Sequence, residues 1–202
     1  MAIDVTSFYL VNVTDTCAVW NVLSSRTLYR TAKSVGCHFC CTTFVHYECL
    51  HKKRSEPTQS AGELCQRLRN AKKSGDFQVH SVAVEDLIDN DVLSKRQHIG
   101  KGELSSMVFA RKTRQALLTD DQRARKLAVG LLDAAKIQTT PHLAGWLFFT
   151  RQLVDGDLQG VITEHEALGR PLAKHFRTAH EHAMRARLGQ VQHTVSRTQI
   201  NV

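Results

Sequence analysis

The sequence lacks any run of 18 or more apolar residues, so a membrane-spanning helix is not expected. Its first residues, MAIDVTSFYLVNV, contain no basic stretch followed by an apolar segment and a cleavage site, which argues against a signal peptide. No internal repeat, low-complexity tract or long linker interrupts the chain of 202 residues. These absences predict a cytoplasmic protein with one folded domain and no membrane partner.

The signatures of several large enzyme classes are also missing. The chain has no glycine-rich Walker pattern, so nucleotide hydrolysis is not supported. Neither GxSxG nor HExxH occurs, which removes the commonest signatures of serine hydrolases and zinc proteases. Any chemistry must therefore come from residues outside these motifs.

Cysteine is concentrated in one segment, GCHFCCTTFVHYEC, which contains four of the six cysteines: Cys37, Cys40, Cys41 and Cys49. The CxxC pair, with His38 and His46 nearby, suggests a zinc site, but a structural zinc site normally needs a second pair of ligands and no second CxxC exists. The run CHFCCTTFV is typical of a buried strand, in which cysteine acts as a small apolar residue. We therefore predict buried cysteines and no zinc.

Basic residues are in excess. The formal net charge is +8 and 42% of the residues are hydrophobic, which is enough for a packed core. Such a charge favours a polyanionic partner such as nucleic acid, or an acidic protein. The residues expected to contact nucleic acid are Lys52, Lys53, Arg54 and Arg123.

Apolar segments with strand character alternate with helical segments along the chain. The expected strands are SFYLVNV, CHFCCTTFV, FQVHSVAV (77–84), ALLT (116–119) and the short KIQTT. This alternation predicts an α/β fold, a three-layer α/β/α sandwich with a central, mainly parallel sheet. A helix pair broken at DGD follows, and residues 171–202 form a basic helical or flexible extension to a domain at 1–170.

Acidic residues stand at the ends of these strands. Asp15 ends the first strand, Glu48 follows the second, Glu103 begins a helix after a glycine-flanked loop, and Asp120 and Asp121 end the fourth strand. A parallel sheet could bring these acids to one edge, where a hard divalent cation would offset their repulsion. Oxygen ligands select Mg²⁺ or Mn²⁺, and such sites usually serve phosphodiester hydrolysis.

The acidic segments resemble a known family. VTDTCAVWNVL, TTFVHYECL, IGKGELSSMVFARK and LLTDDQRARKLA look like the four acidic blocks, in order, of the PIN-domain (PilT N-terminus) nucleases, which include the VapC-type toxins of toxin–antitoxin modules. PHLAGWLFFTRQLVDGDLQGVI is similar to the C-terminal helix pair of one PIN-like branch, and the resemblance spans roughly residues 7–170. Each block is weak alone, but four in order are a stronger signal.

The resemblance assigns roles residue by residue. Asp15, Glu48 and Glu103 match the first three acids, and Asp121 matches the fourth through a Thr-x-Asp pattern, although Asp120 could share or replace that role. The hydroxyl residues that support the acids in the family correspond to Thr16 and Thr119. The implied protein is a divalent-metal-dependent endoribonuclease, a toxin that binds RNA, a partner antitoxin and a second copy of itself.

Other interpretations of the same residues stay open. Capping a helix could be the whole role of Asp15, and complementing a helix N-terminus could be the whole role of Glu103. A noncatalytic PIN-like module that binds nucleic acid or protein, or a DNA-cleaving nuclease, would carry much of the same pattern. His180 and His182 of AKHFRTAHEHAMRAR are two residues apart and do not share a helix face, so a solvated helix is expected there. The tail, the cysteine cluster and the polar Asn12 and Thr14 depart from the family pattern.

Overall fold

A computed structural model describes residues 4–52, 58–87 and 99–200, without the side chains of residue 84 and residues 191–200. Its strands are β1 (Val11–Thr14), β2 (His38–Thr42), β3 (Phe77–His80), β4 (Ala116–Leu118) and β5 (Ile137–Gln138). Its helices, apart from one 3₁₀ turn at Ala134–Lys136, are α1 (Thr16–Ser24), α2 (Arg26–Ser34), α3 (Thr43–Leu50), α4 (Gln59–Lys73), α5 (Val84–Leu87), α6 (Lys101–Thr113), α7 (Gln122–Ala128), α8 (Thr140–Phe149), α9 (Asp157–Ala167) and α10 (Ala173–Ile200).

The five strands form one sheet in the order β3-β2-β1-β4-β5, and every pairing is parallel. Val13 lies opposite Cys40 on one side and Leu117 on the other, which fixes the register of the three central strands. The chain leaves β1 toward β2 and later returns to β4, so the strand order reverses at the carboxyl end of β1. In open parallel sheets this is where ligands bind.

Helices cover both faces of the sheet, and they bury the strands on both sides. The larger core joins α1, α2, α4, α8, α9 and α10 to one face through side chains such as Phe39 and Leu118. The smaller core on the other face packs Met107 and Ala124 of α6 and α7 against Val13 and Leu117. The predicted three-layer α/β/α sandwich is confirmed.

The second strand is shorter than the sequence pattern predicts. CHFCCTTFV reads as one strand, but β2 ends at Thr42 and residues 43–45 begin α3. Thr42 stops the strand because its Oγ1 accepts a hydrogen bond from the backbone N of Val45, at 3.3 Å, and caps the new helix. This early helix is what turns Glu48 toward α6.

The polar residues of β1 have partners within the core. Asn12 is fully buried; its Nδ2 donates to the carbonyl oxygen of Tyr9 at 2.7 Å, and its Oδ1 accepts from Nε2 of Gln138 at 2.6 Å. Oγ1 of Thr14 donates to the carbonyl oxygen of Cys40 at 2.8 Å. A buried polar group is tolerated when it is hydrogen-bonded, so these residues are compatible with a central strand.

The cysteine cluster is buried, as the sequence predicts. Cys37, Cys40, Cys41 and Cys49 are at most 6% exposed, and none of them forms a disulfide. Burial raises the pKa of Cys37, Cys40 and Cys41 to about 12, so these thiols stay protonated.

The C-terminal extension begins as part of the core. Phe176, Ala179 and Ala183 of α10 are fully buried, and they face α8 and the larger core. Gly145 of α8 allows this close packing, because an added Cβ would lie 2.6 Å from Cγ1 of Val5 and 3.2 Å from Cβ of Ala179. The helix is solvated on its other face, as predicted, but its apolar face is not.

Within the described residues, no helix is both long and apolar enough to cross a bilayer.

Candidate functional site

Asp15 lies directly after β1 and caps α1. It is 1% exposed; its Oδ1 accepts from the backbone N of Ala18 at 2.8 Å, and the hydroxyl of Thr119 donates to its Oδ2. Burial raises its pKa to about 7, the two hydrogen bonds oppose that rise, and the nearby charges of Asp120 and Glu103 add to it. A carboxyl group with such a pKa can exchange a proton, or accept a cation, near neutral pH.

Glu48 reaches the same edge of the sheet from α3. Its Oε2 accepts from Oγ1 of Thr16 at 2.6 Å, and its Oε1 accepts from the backbone N of Gly102 at 3.2 Å. A Cβ on Gly102 would lie 2.4 Å from Oε2 of Glu48 and 2.8 Å from its Cδ. Glycine at position 102 is therefore required for this carboxylate position.

Glu103 occupies the first turn of α6. Its Oε2 accepts from the backbone N of Gly100 at 3.0 Å, so it forms the side-chain half of a helix cap, one of the roles expected from the sequence. Its charge also raises the pKa of Asp15. Glu103 thus caps α6 and also belongs to the group of acids around Asp15.

Asp120 and Asp121 have different surroundings although they are adjacent. Asp120 accepts three hydrogen bonds, from Nδ2 of Asn21 at 2.7 Å and from the backbone N and Oγ1 of Thr140 at 2.8 and 2.6 Å. Its charge acts on Asp15. Asp121 caps α7, and its Oδ1 accepts from the backbone N of Ala124 at 2.8 Å. The geometry therefore directs Asp120 toward the cluster, whereas the Thr-x-Asp pattern favours Asp121.

Three supporting residues were missed by sequence reasoning. Asn21, which is 2% exposed, bridges Asp120 to Arg170, whose Nε donates to Oδ1 of Asn21 at 2.6 Å. Nη2 of Arg170 also contacts Sγ of Cys17, at 3.3 Å. Thr140 is the third. The only sequence signal for these residues was the polar Asn21 inside the apolar CAVWNVL. Thr140 and Arg170 gave none, because they are distant in the sequence and only the fold brings them to the acids.

The structure brings some predicted residues together and leaves others apart. Asp15, Glu103 and Asp120 share one electrostatic environment, and Glu48 joins it through Thr16. In the described ranges, no group of three or more His, Cys, Asp or Glu side chains is placed to hold a metal ion. Lys52 and Arg123 are exposed, whereas Lys53 and Arg54 lie outside the described residues.

Comparisons with known proteins identify no relative: no protein-family model, curated protein or solved structure matches this chain.

Proposed function

We propose that this chain is a divalent-metal-dependent endoribonuclease of the PIN type. The observation that carries the proposal is the charge environment of Asp15, a buried carboxyl group whose pKa is raised to about 7 beside Asp120 and Glu103. Buried like charges are costly, and they are usually found where a cation, a proton or a substrate compensates them. Their position at the carboxyl end of β1, where the strand order reverses, agrees with a ligand site.

The donors fit Mg²⁺ or Mn²⁺ in kind, because all are hard oxygen ligands. Three acids do not converge in the described residues, so we propose that Asp15 and one further acid bind the cation directly and the others bind through water. Mg²⁺ commonly keeps several waters in this way. When bound, the cation would lower the pKa of an attacking water and offset charge on the scissile phosphate.

The chain's own residues would position these groups. Thr16 and Thr119 fix the carboxylates of Glu48 and Asp15 by hydrogen bonds. Asn21 and Thr140 do the same for Asp120. Exposed Lys52 and Arg123 would contact the phosphate backbone, and Lys53 and Arg54, which lie outside the described residues, stay predictions of the same kind. A toxin role, with an antitoxin partner and a homodimer, is part of the proposal through the family resemblance alone.

Cleavage of a mixed RNA pool by the purified chain tests the proposal, with Mg²⁺, Mn²⁺ or EDTA and with single-stranded DNA in parallel. Asp15→Asn should lower the cleavage rate by about 100-fold or more. Asp133→Asn is the matched control, because exposed Asp133 also caps a helical turn but stands before β5, at the opposite edge of the sheet. Equal cleavage by Asp15→Asn and the parent would refute the proposal.

A noncatalytic PIN-like binding module is the second candidate. It is favoured by the absence of a three-acid metal group in the described residues and by the internal donors that already satisfy each acid. RNA bound equally by the parent and Asp15→Asn, with no cleavage under any metal condition, would establish this alternative.

A further inference from the structure

A row of aromatic rings, two of them exposed, lies on α3 and just after it, in the helix that also carries Glu48. Tyr47 is 59% exposed, and its ring stacks on that of His51 with centroids 6.0 Å apart and planes 25° apart. The ring of His46 lies 5.8 Å from that of His51. We call Tyr47, His51 and His46 the ring row. The ring of Tyr47 is thus supported by His51 while it stays exposed at the surface.

Cations border the ring row. Nζ of Lys72 on α4 lies 3.4 Å from Nε2 of His46, and exposed Lys52 follows His51 directly. Among the described residues, no carboxylate forms an ion pair with Lys52 or Lys72. Within the described residues, the surface therefore offers positive charge that no carboxylate pairs, next to an exposed ring.

The ring row is also a sequence neighbour of one of the acids. Tyr47 directly precedes Glu48, whose carboxylate binds Thr16 and Gly102 inside the site. Successive helix residues point about 100° apart, so α3 presents Glu48 to the site and Tyr47 to solvent beside it. The ring row therefore adjoins Glu48 on the same helix.

We propose that the ring row is a base-stacking platform for single-stranded RNA, with Tyr47 receiving a base and Lys52 and Lys72 contacting phosphates. Stacking rings combined with flanking cations are the usual means by which proteins bind single strands without reading sequence. An acidic peptide would use the cations but not the open ring, so the exposed Tyr47 favours nucleic acid. The platform rests on the proposed ribonuclease function for its biological role, but its binding does not require metal.

Binding in EDTA tests the platform without cleavage. The probe is a short, fluorescein-labelled single-stranded RNA, and a second probe carries 2-aminopurine, whose fluorescence falls when it stacks on a ring. We expect Tyr47→Ala to weaken binding about tenfold and to abolish the 2-aminopurine quenching. Tyr47→Phe should retain both. His51→Ala should give an intermediate loss, because it removes the ring that supports Tyr47.

Tyr9→Ala is the matched control. Tyr9 is 44% exposed, and its backbone N donates to Oε1 of Gln138 of β5, on the side of the sheet away from α3, which contacts β2 and β3. Its loss should leave binding unchanged, and thermal melts should show that all variants are folded. An unlabelled oligo-glutamate competitor separates stacking from charge alone.

Several results would overturn the platform: a parent chain that does not bind the probe, Tyr47→Ala binding as tightly as the parent, an equal loss in Tyr9→Ala, or displacement by oligo-glutamate with the same efficiency as by RNA. These failures are distinct from failure of the proposed function. A nuclease without this platform would still cleave RNA in an Asp15-dependent way, whereas a noncatalytic binder would keep the platform and show no cleavage.

Discussion

At the residue scale, Asp15 couples the stability of the fold to its charge state. Its folded pKa of about 7 exceeds the ordinary value of 3.8 because the carboxyl group is buried beside other acids. The unfolded chain therefore loses this proton at lower pH than the folded chain does. Stability from this group is complete below about pH 4 and is lost as the pH rises through 7.

Asp15→Asn should remove this pH dependence, because the amide stays neutral and similar in shape. Between pH 5 and 8 in EDTA, the parent's free energy of unfolding should fall by roughly 3 kcal/mol relative to the variant. Urea denaturation at the two pH values measures the difference. Mg²⁺ at pH 8 should then raise the Tm of the parent and not that of Asp15→Asn. Parallel pH profiles of the two proteins would contradict the raised pKa.

Gly102→Ala should separate activity from stability. The new methyl group would displace the carboxylate of Glu48, so we expect RNA cleavage to fall by about tenfold or more. Because Glu48 is a flexible side chain and alanine favours helix more than glycine does, Tm should stay level or rise. Gly62→Ala in α4, where an added Cβ meets nothing within 4 Å, is the control that should keep full activity. A large loss of Tm with normal cleavage would be the opposite result.

At the scale of elements, the junction between β4 and α7 supplies two acids with different duties. Asp120 follows the strand and binds Asn21 of α1 and Thr140 of α8, so it ties three elements together at the sheet edge. Asp121 begins α7 as its cap. The helix begins only after Asp121, whose own backbone is still extended, so the side chain of Asp121 caps α7 while that of Asp120 reaches Asn21 and Thr140.

Asp120→Asn should therefore cost more activity than Asp121→Asn. We expect about a 100-fold loss of cleavage for Asp120→Asn, because it removes a charge next to Asp15, and less than a tenfold loss for Asp121→Asn, since asparagine is an equally good helix cap. Rates are compared at a temperature where circular dichroism shows both variants folded. The reverse order would identify Asp121 as the fourth acid, as the sequence pattern favours.

At the scale of the whole molecule, the C-terminal helix stabilises the site indirectly. Phe176 of α10 lies 4.6 Å, ring to ring, from buried His165 of α9, and Nε2 of His165 lies 2.8 Å from the carbonyl oxygen of Asn21. Burial lowers the pKa of His165. The extension, the helix pair and α1 are thus one packed unit under the acids.

Phe176→Ala should destabilise the protein by about 3–5 kcal/mol, because it removes a fully buried ring from the larger core. Leu188→Ala, on the same helix but 66% exposed at that position, should change stability by less than about 0.5 kcal/mol. Chemical denaturation of both variants checks the contrast. Equal, small effects would mean that α10 does not contribute to the core as its packing indicates.

The sequence by itself determined the alternation of strands and helices, the parallel sheet and the acids at strand ends. These are local properties, because hydrophobic periodicity and capping residues act over a few neighbours. It could not place the end of β2, because TFV has strand propensity and only the Thr42 cap and the α6 contact make it helical.

Only the tertiary structure decided which groups support the acids. Asn21 meets Arg170, and Asp120 meets Thr140, across many intervening residues. The side-chain oxygen of Asn12 is satisfied in a buried strand because Gln138 reaches it from β5. The polar, basic helix α10 belongs to the core because its Phe176 side chain is fully buried there. Each of these depends on long-range partners that a pattern of neighbouring residues does not encode, because side-chain satisfaction is settled by packing between elements and not within them.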